Sequence, residues 1–193
     1  MKSISKIWLR ARRTVLDLIG DKSGVAATEF AVIVPIMLVM FFGTVEFSSG
    51  VAVDRKVTLM ARTLSDLTSQ STTVGDTDMT NFFAASAAIM TPYPTAPVNS
   101  TITELYVDPK TLQARVQWSK GSAPRAVSST VTIPTALAIG GTYMIFSEVS
   151  YLYVPTIGYV MGKSGVNLSD VAYTRPRQSV CVFYSPAVAC TTL

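Results

Sequence analysis

The chain contains no histidine, and only two of its 193 residues are cysteine. Without an imidazole, the usual general base near neutral pH is missing. That argues against nucleophile–His hydrolase chemistry, and two thiolates without His fall short of the four ligands of a structural zinc site. There is no glycine-rich loop of the kind that cradles phosphates. Charge is sparse at 15% of residues. In the second half, Glu104, Asp108, Glu148 and Asp170 are scattered, without the close pairing that carboxylate catalysis needs. The sequence therefore offers no catalytic residue, no metal site, no cofactor-binding motif and no readable small-molecule substrate.

What is present is apolar. Hydrophobic residues make up 49% of the chain and the mean hydropathy is +0.38, values that point toward a membrane. The net charge of +4 is local. Lys2, Lys6, Arg10, Arg12, Arg13 and Lys22 face only Asp17 and Asp21 in residues 1–24, and the remainder is balanced. A nucleic-acid partner would call for a basic patch on the folded part, so none is expected. Basic residues ahead of an apolar run instead set orientation, with residues 1–24 cytoplasmic and the C-terminal part outside. Ile4, Trp8, Ala11, Val15 and Ile19 also fall on one helical face. Two readings stay open there: a helix lying on anionic membrane lipid, or an ordinary basic leader.

The run itself reads SGVAATEFAVIVPIMLVMFFGTVEF, from Ser23 to Phe47. Glu29 stands at its mouth, and Phe30 to Val45 carries no charge. Those residues reach about 24 Å as a helix, short of the roughly 30 Å hydrocarbon core. Continuing toward Val53 supplies the length and places Glu46 near the far interface. There it either snorkels to water or makes a buried contact, since intramembrane charge faces protein or water. Pro35 removes one helix donor, which membrane helices tolerate. Val53, Val57, Met60, Leu64 and Leu67 then recur at heptad spacing. One helix from about Val25 to Ser69 is expected, its outer seam packing on its own domain or on a neighbouring subunit.

SQSTTVGDTD breaks this pattern as a linker. A second helix comes next, capped by Thr77 or Asp78 and ending before Pro92. Strands are expected at TITELYV, LQARVQWS, TYMIFSEVSYLYV, VNLSDVAYTR and SVCVFYS. In LQARVQWS, Leu112, Ala114, Val116 and Trp118 alternate with polar residues and predict one buried face. IPTALAIGG suggests a short helix opened by Pro134. The fold class is α+β: a long N-terminal transmembrane helix continuing as a stalk, then a small extracytoplasmic domain with an antiparallel sheet and short helices. The expected divisions are 1–24 as a basic leader, 25–71 as transmembrane helix and stalk, and 72–193 as the outer domain. Outside the cytoplasm, Cys181 and Cys190 would close a short loop as a disulfide, the alternative being a pair of unlinked thiols. Arg175 and Arg177 read as solvated charges or as a site for an acidic partner. Tyr143, Tyr151, Tyr153, Tyr159, Tyr173 and Tyr184 read as sheet packing or as a binding platform.

Two cleavage readings compete for the first 50 residues. A secretory signal peptidase would cut beyond the run, near Gly50-Val51-Ala52. The other cut lies on the cytoplasmic side, at Gly24. Here GVAATEF resembles the type IV prepilin signature, a basic leader ending in Gly and a hydrophobic helix with Glu at mature position five. The wider stretch GVAATEFAVIVPIMLVMFFGTVEFSSGVAVDRK resembles the TadE-like family, minor pseudopilins of the tight-adherence (Flp-type) pilus machinery. The matching positions are Glu29, Phe30, Pro35, Gly43 and Glu46, with weaker likeness in EVSYLYVP and AYTRPRQS.

The resemblance implies cleavage between Gly24 and Val25 by a prepilin peptidase. It also implies an inner-membrane location, partnership with other pseudopilins and the pilus assembly platform, and no enzymatic activity. Physical chemistry agrees. Cleavage creates an α-amino group on Val25, one turn from a Glu29 carboxylate that the helix dipole also favours. The alternative is a signal-anchored extracytoplasmic binding or enzymatic domain, with Glu29 incidental.

Overall fold

A computed structural model describes residues 23–155, 165–186 and 190. The amphipathic pattern in residues 1–22 and Tyr159 lie outside the described residues. Tertiary contacts divide the chain after Val45 into an N-terminal unit and a second unit from Glu46 onward. Each is described by itself.

Helix α1 runs Ser23–Ser69 and includes Pro35. Its residues up to Val45 make up the described part of the first unit, and its residues from Glu46 belong to the second. The second unit continues with strand β1 (Thr73–Val74), helix α2 (Asp76–Ala87) and a 3-10 turn at Ala88–Met90. Strands β2 (Val98–Val107), β3 (Ala114–Gly121), β4 (Thr130–Val131), β5 (Tyr143–Tyr153), β6 (Val166–Thr174) and β7 (Phe183–Tyr184) complete it. The architecture is α+β, as the sequence predicts. Five strands form an antiparallel sheet in the order β4-β3-β2-β5-β6. β1 and β7 pair in parallel as a separate two-stranded ribbon.

The heptad seam packs on the chain's own domain. Val53, Val57, Met60 and Leu64 are fully buried against Ile102, Trp118, Ile145 and Val149 of the sheet. Small residues let the helix approach closely. Ser147 Oγ donates to the Ala61 carbonyl at 2.7 Å, and Ser65 Oγ donates to the Ile145 carbonyl at 3.4 Å. The opposite sheet face carries a second core of Leu105, Val107, Ala114, Val116, Met144 and Phe146. Residues of the long β3–β5 connection, Val131, Ile133 and Leu137, pack against it.

These two cores explain a departure from simple alternation. The sequence predicts that Ala114, Val116 and Trp118 share a face. A β-bulge intervenes, because Glu104 pairs with Trp118 while Leu105 pairs with Val116. Gln117 is the extra residue, and an inserted residue inverts the facing of the residues after it. Ala114 and Val116 thus point into one core and Trp118 into the other. Leu112 belongs to the turn rather than the strand, is exposed, and has φ 55°. That turn is held by Asp108, whose carboxylate accepts the Lys110 and Thr111 N–H groups at 2.7 and 3.1 Å. These bonds hold its carboxyl below the usual range.

Other boundaries move for local reasons. Helix α2 opens at Gly75 rather than at Thr77 or Asp78, because the Asp78 carboxylate reaches back to the Gly75 N–H at 2.9 Å. The expected helix at IPTALAIGG shrinks to a single 3-10 turn, Thr135–Leu137. Gly121 is required as glycine. Its φ is 133°, and a Cβ there would lie 2.2 Å from the Ser100 carbonyl oxygen.

Candidate functional site

The first unit presents one feature, an exposed apolar helix. Phe30, Met37, Val39, Met40 and Phe41 are each about three-fifths exposed or more. The helix containing them is long and apolar enough to cross a membrane, and its most apolar stretch has no buried residue. A helix that is hydrophobic on all sides and unburied by its own chain requires an apolar medium or partner. This is a candidate membrane span or signal anchor. Glu29 and Pro35 lie on it, with Gly43 further along. Among the described residues, nothing packs against Gly24.

Glu46 opens the second unit, and only 4% of its surface is exposed. The sequence leaves snorkelling and burial open. In the structure the side chain is covered within the domain, and the Tyr153 hydroxyl donates to the Glu46 carbonyl at 3.5 Å. Gly43 and Glu46, read together as one motif, therefore fall on either side of the division between units.

The last described segment is strapped to the domain by several bonds. Glu104 lies on β2 facing the helix-side core and is 2% exposed. Its Oε1 accepts the Val182 N–H at 2.6 Å, and the Trp118 indole donates to the Val182 carbonyl at 2.9 Å. Burial pushes the Glu104 carboxyl up to about 7, against the opposing pull of the Val182 N–H and the Trp118 indole. β7 then pairs with β1, and the Tyr184 hydroxyl donates to Asp76. Upstream, Arg177 pairs with Asp66 of the helix, and its N–H donates to the Ser69 carbonyl at 2.9 Å. Arg177, still half-exposed, thus has an acidic partner within its own chain. Cys181 and Cys190 are brought together, with Cα atoms 6.1 Å apart, within the range a disulfide spans.

Sequence reasoning registered Glu104 only as a scattered carboxylate. The signal that marks it is its alternation with Ile102 and Tyr106 on a strand face that turns out to be buried. The other carboxylates are separately engaged. Glu148 forms a two-pronged pair with Arg125 at 2.6 and 2.9 Å, and Asp108 holds its turn. Asp170 accepts the Val171 N–H at 2.8 Å. Among the described residues, no group of three His, Cys, Asp or Glu side chains is placed to hold a metal.

Residues 24–64 match the family model described as TadE-like protein, the family that the N-terminal motif resembles. The match covers the apolar run, Glu29, Pro35, Gly43, Glu46 and the buried helix seam, and it ends before the sheet. No curated protein and no solved structure matches the chain.

Proposed function

We propose that this protein is a minor pseudopilin that takes part in assembly or anchoring of a tight-adherence (Flp-type) pilus, through helix–helix and domain contacts. The observation that carries this reading is the register of Gly24, Glu29 and Phe30 at the mouth of an exposed apolar helix, within the segment that matches the TadE-like model. A prepilin peptidase removes residues 1–24 and leaves Val25 as the new N-terminus. The helix then lies in the inner membrane with the sheet domain on the extracytoplasmic side. Other pseudopilins and the assembly platform are its partners, and its work is association rather than catalysis. The separate engagement of Glu104, Asp108 and Glu148 supports that last point.

Intact-mass analysis of the purified membrane protein tests the reading. Loss of the first 24 residues is the expected result. An uncut chain, or one starting near Val53, would favour a signal-anchored or secreted domain of another function. Deletion of the coding region is expected to abolish or reduce piliation without loss of the assembly platform proteins.

A further inference from the structure

The length of the apolar run and the burial of Glu46 together locate the membrane boundary on the domain itself. Counting from Phe30, a span of about 20 residues, enough for a hydrocarbon core of about 30 Å, ends near Ser49. The first unit ends four residues earlier, at Val45. The final turn of the span is therefore built from residues of the second unit. The only charge in that turn, Glu46, is covered by the domain. The next charged side chains along the helix are Asp54 and Arg55, both exposed.

The surroundings of this turn are apolar and open. Phe47 is 65% exposed and Val51 38%. The end of β5 adds Leu152 at 46%, and Val154, just past the strand, is 54% exposed. A notch of about 190 Å³ lies between Phe47 and Val51 on the helix and Tyr153, Val166 and Leu168 on the sheet, with Asp54 as the one charged residue among its described lining.

We propose that this end of the domain, carrying Phe47, Val51, Leu152 and Val154, is seated in the polar–apolar boundary of the bilayer. The inference rests on the membrane-span reading of α1 and adds to it. Lipid is the occupant because the span, counted by length, ends on the second unit's own residues near Ser49, beside the exposed Phe47 and Val51. Covering Glu46 with protein lets a carboxylate occupy the last turn of the span without facing hydrocarbon, which is otherwise expensive.

The test uses the full chain in phosphatidylcholine–phosphatidylglycerol vesicles containing phosphatidylcholine brominated, in separate samples, near the headgroup and near the chain ends, the latter read at Val39. Single cysteines are introduced at Val39, Val127, Leu152 and Val154, with Cys181 and Cys190 left in place, and each is labelled with the fluorophore NBD. Val39 reports the span. Val127, 58% exposed and distant in sequence from the apolar run, reports the aqueous surface. Quenching at Leu152 and Val154 that approaches Val39 and exceeds Val127 several-fold is expected. Quenching at Val39 with Leu152 and Val154 as low as Val127 keeps the span and overturns the seat. Absence of quenching at Val39 removes the span reading, and the seat with it. Protection of Leu152→Cys and Val154→Cys from an impermeant maleimide without lipid quenching assigns this surface to a protein neighbour, and also overturns the proposal.

Discussion

Glu104 Oε1 accepts the backbone N–H of Val182 at 2.6 Å, which ties the centre of the sheet to the last described strand across 78 residues of sequence. The bond holds a carboxyl that is 2% exposed and whose pKa burial raises from 4.5 to about 7. The folded state therefore keeps a proton that the unfolded chain releases between these values. Stability from this group is fully present below about 4.5, falls as pH rises through about 7, and is flat above. A shift of that size corresponds to an effect on the order of 3 kcal/mol. Glu104→Gln keeps an acceptor for Val182 and removes the charge. It is expected to flatten the pH dependence of chemical denaturation across this window and to stabilise the protein at mildly alkaline pH. A variant with the parent's pH profile would show that Glu104 is not the titrating group.

The burial pattern of α1 separates two neighbouring leucines. Leu64 is fully buried in the helix-side core, whereas Leu59 is 52% exposed. Leu64→Ala is expected to cost about 2–5 kcal/mol. Leu59→Ala should lie within about 0.5 kcal/mol of the parent, as exposed substitutions do. Denaturation midpoints of the two variants check this. Equal effects would mean that the seam packs on another subunit rather than on its own sheet.

Cys181 is buried beside Tyr106 and Tyr143, and its partner Cys190 is exposed. If both thiols are oxidised, labelling of the denatured, unreduced protein finds neither free. Cys190→Ser then removes a short loop closure, with an expected loss of about 2–3 kcal/mol. Two labelled thiols in the parent would remove the disulfide, and with it support for an oxidising compartment.

The helix and its seam were legible because both arise from local periodicity. Val53, Val57, Met60 and Leu64 recur every three to four residues, and the same stripe is the buried one. The long strands were legible for the same reason. The facing of Trp118 was not, because the bulge that inverts it is defined by the partner strand at Glu104 and Leu105. β1 and β7 each have two residues and find each other only through the tertiary fold. The environment of Glu46 was equally hidden. A carboxylate near the end of an apolar run reads alike in sequence whether lipid, water or its own domain lies beside it. The motif from Gly24 to Glu46 was the most legible part of the candidate site, since its register is a matter of counting. The partners it implies are not, because no local pattern in one chain records another molecule.

The different surroundings of Glu29 and Glu46 allow their roles to be separated. Glu29 is exposed on the first unit, while Glu46 is covered within the second. If Glu29 only marks the edge of the span, Glu29→Ala should remove a desolvation cost and leave assembly unchanged. If it pairs with the Val25 amine of a neighbouring subunit, insertion and cleavage should persist while assembly weakens. A charge-assisted hydrogen bond of that kind is worth about 1–3 kcal/mol. Each 1.4 kcal/mol is about tenfold in association, enough to abolish a weak contact. Glu29→Gln retains hydrogen bonding without the charge and should show the same defect if the pairing is ionic. Glu46→Ala should behave differently, lowering the stability of the sheet domain because it opens a buried site. Membrane insertion, N-terminal cleavage, domain stability and piliation are to be measured for all three variants. Inserted, cleaved and stably folded Glu29 variants that fail to support piliation are the expected outcome. Normal piliation with Glu29→Ala would end the pairing model. A piliation defect confined to Glu46→Ala, with the domain still stable, would move the intersubunit contact to the other end of the apolar run.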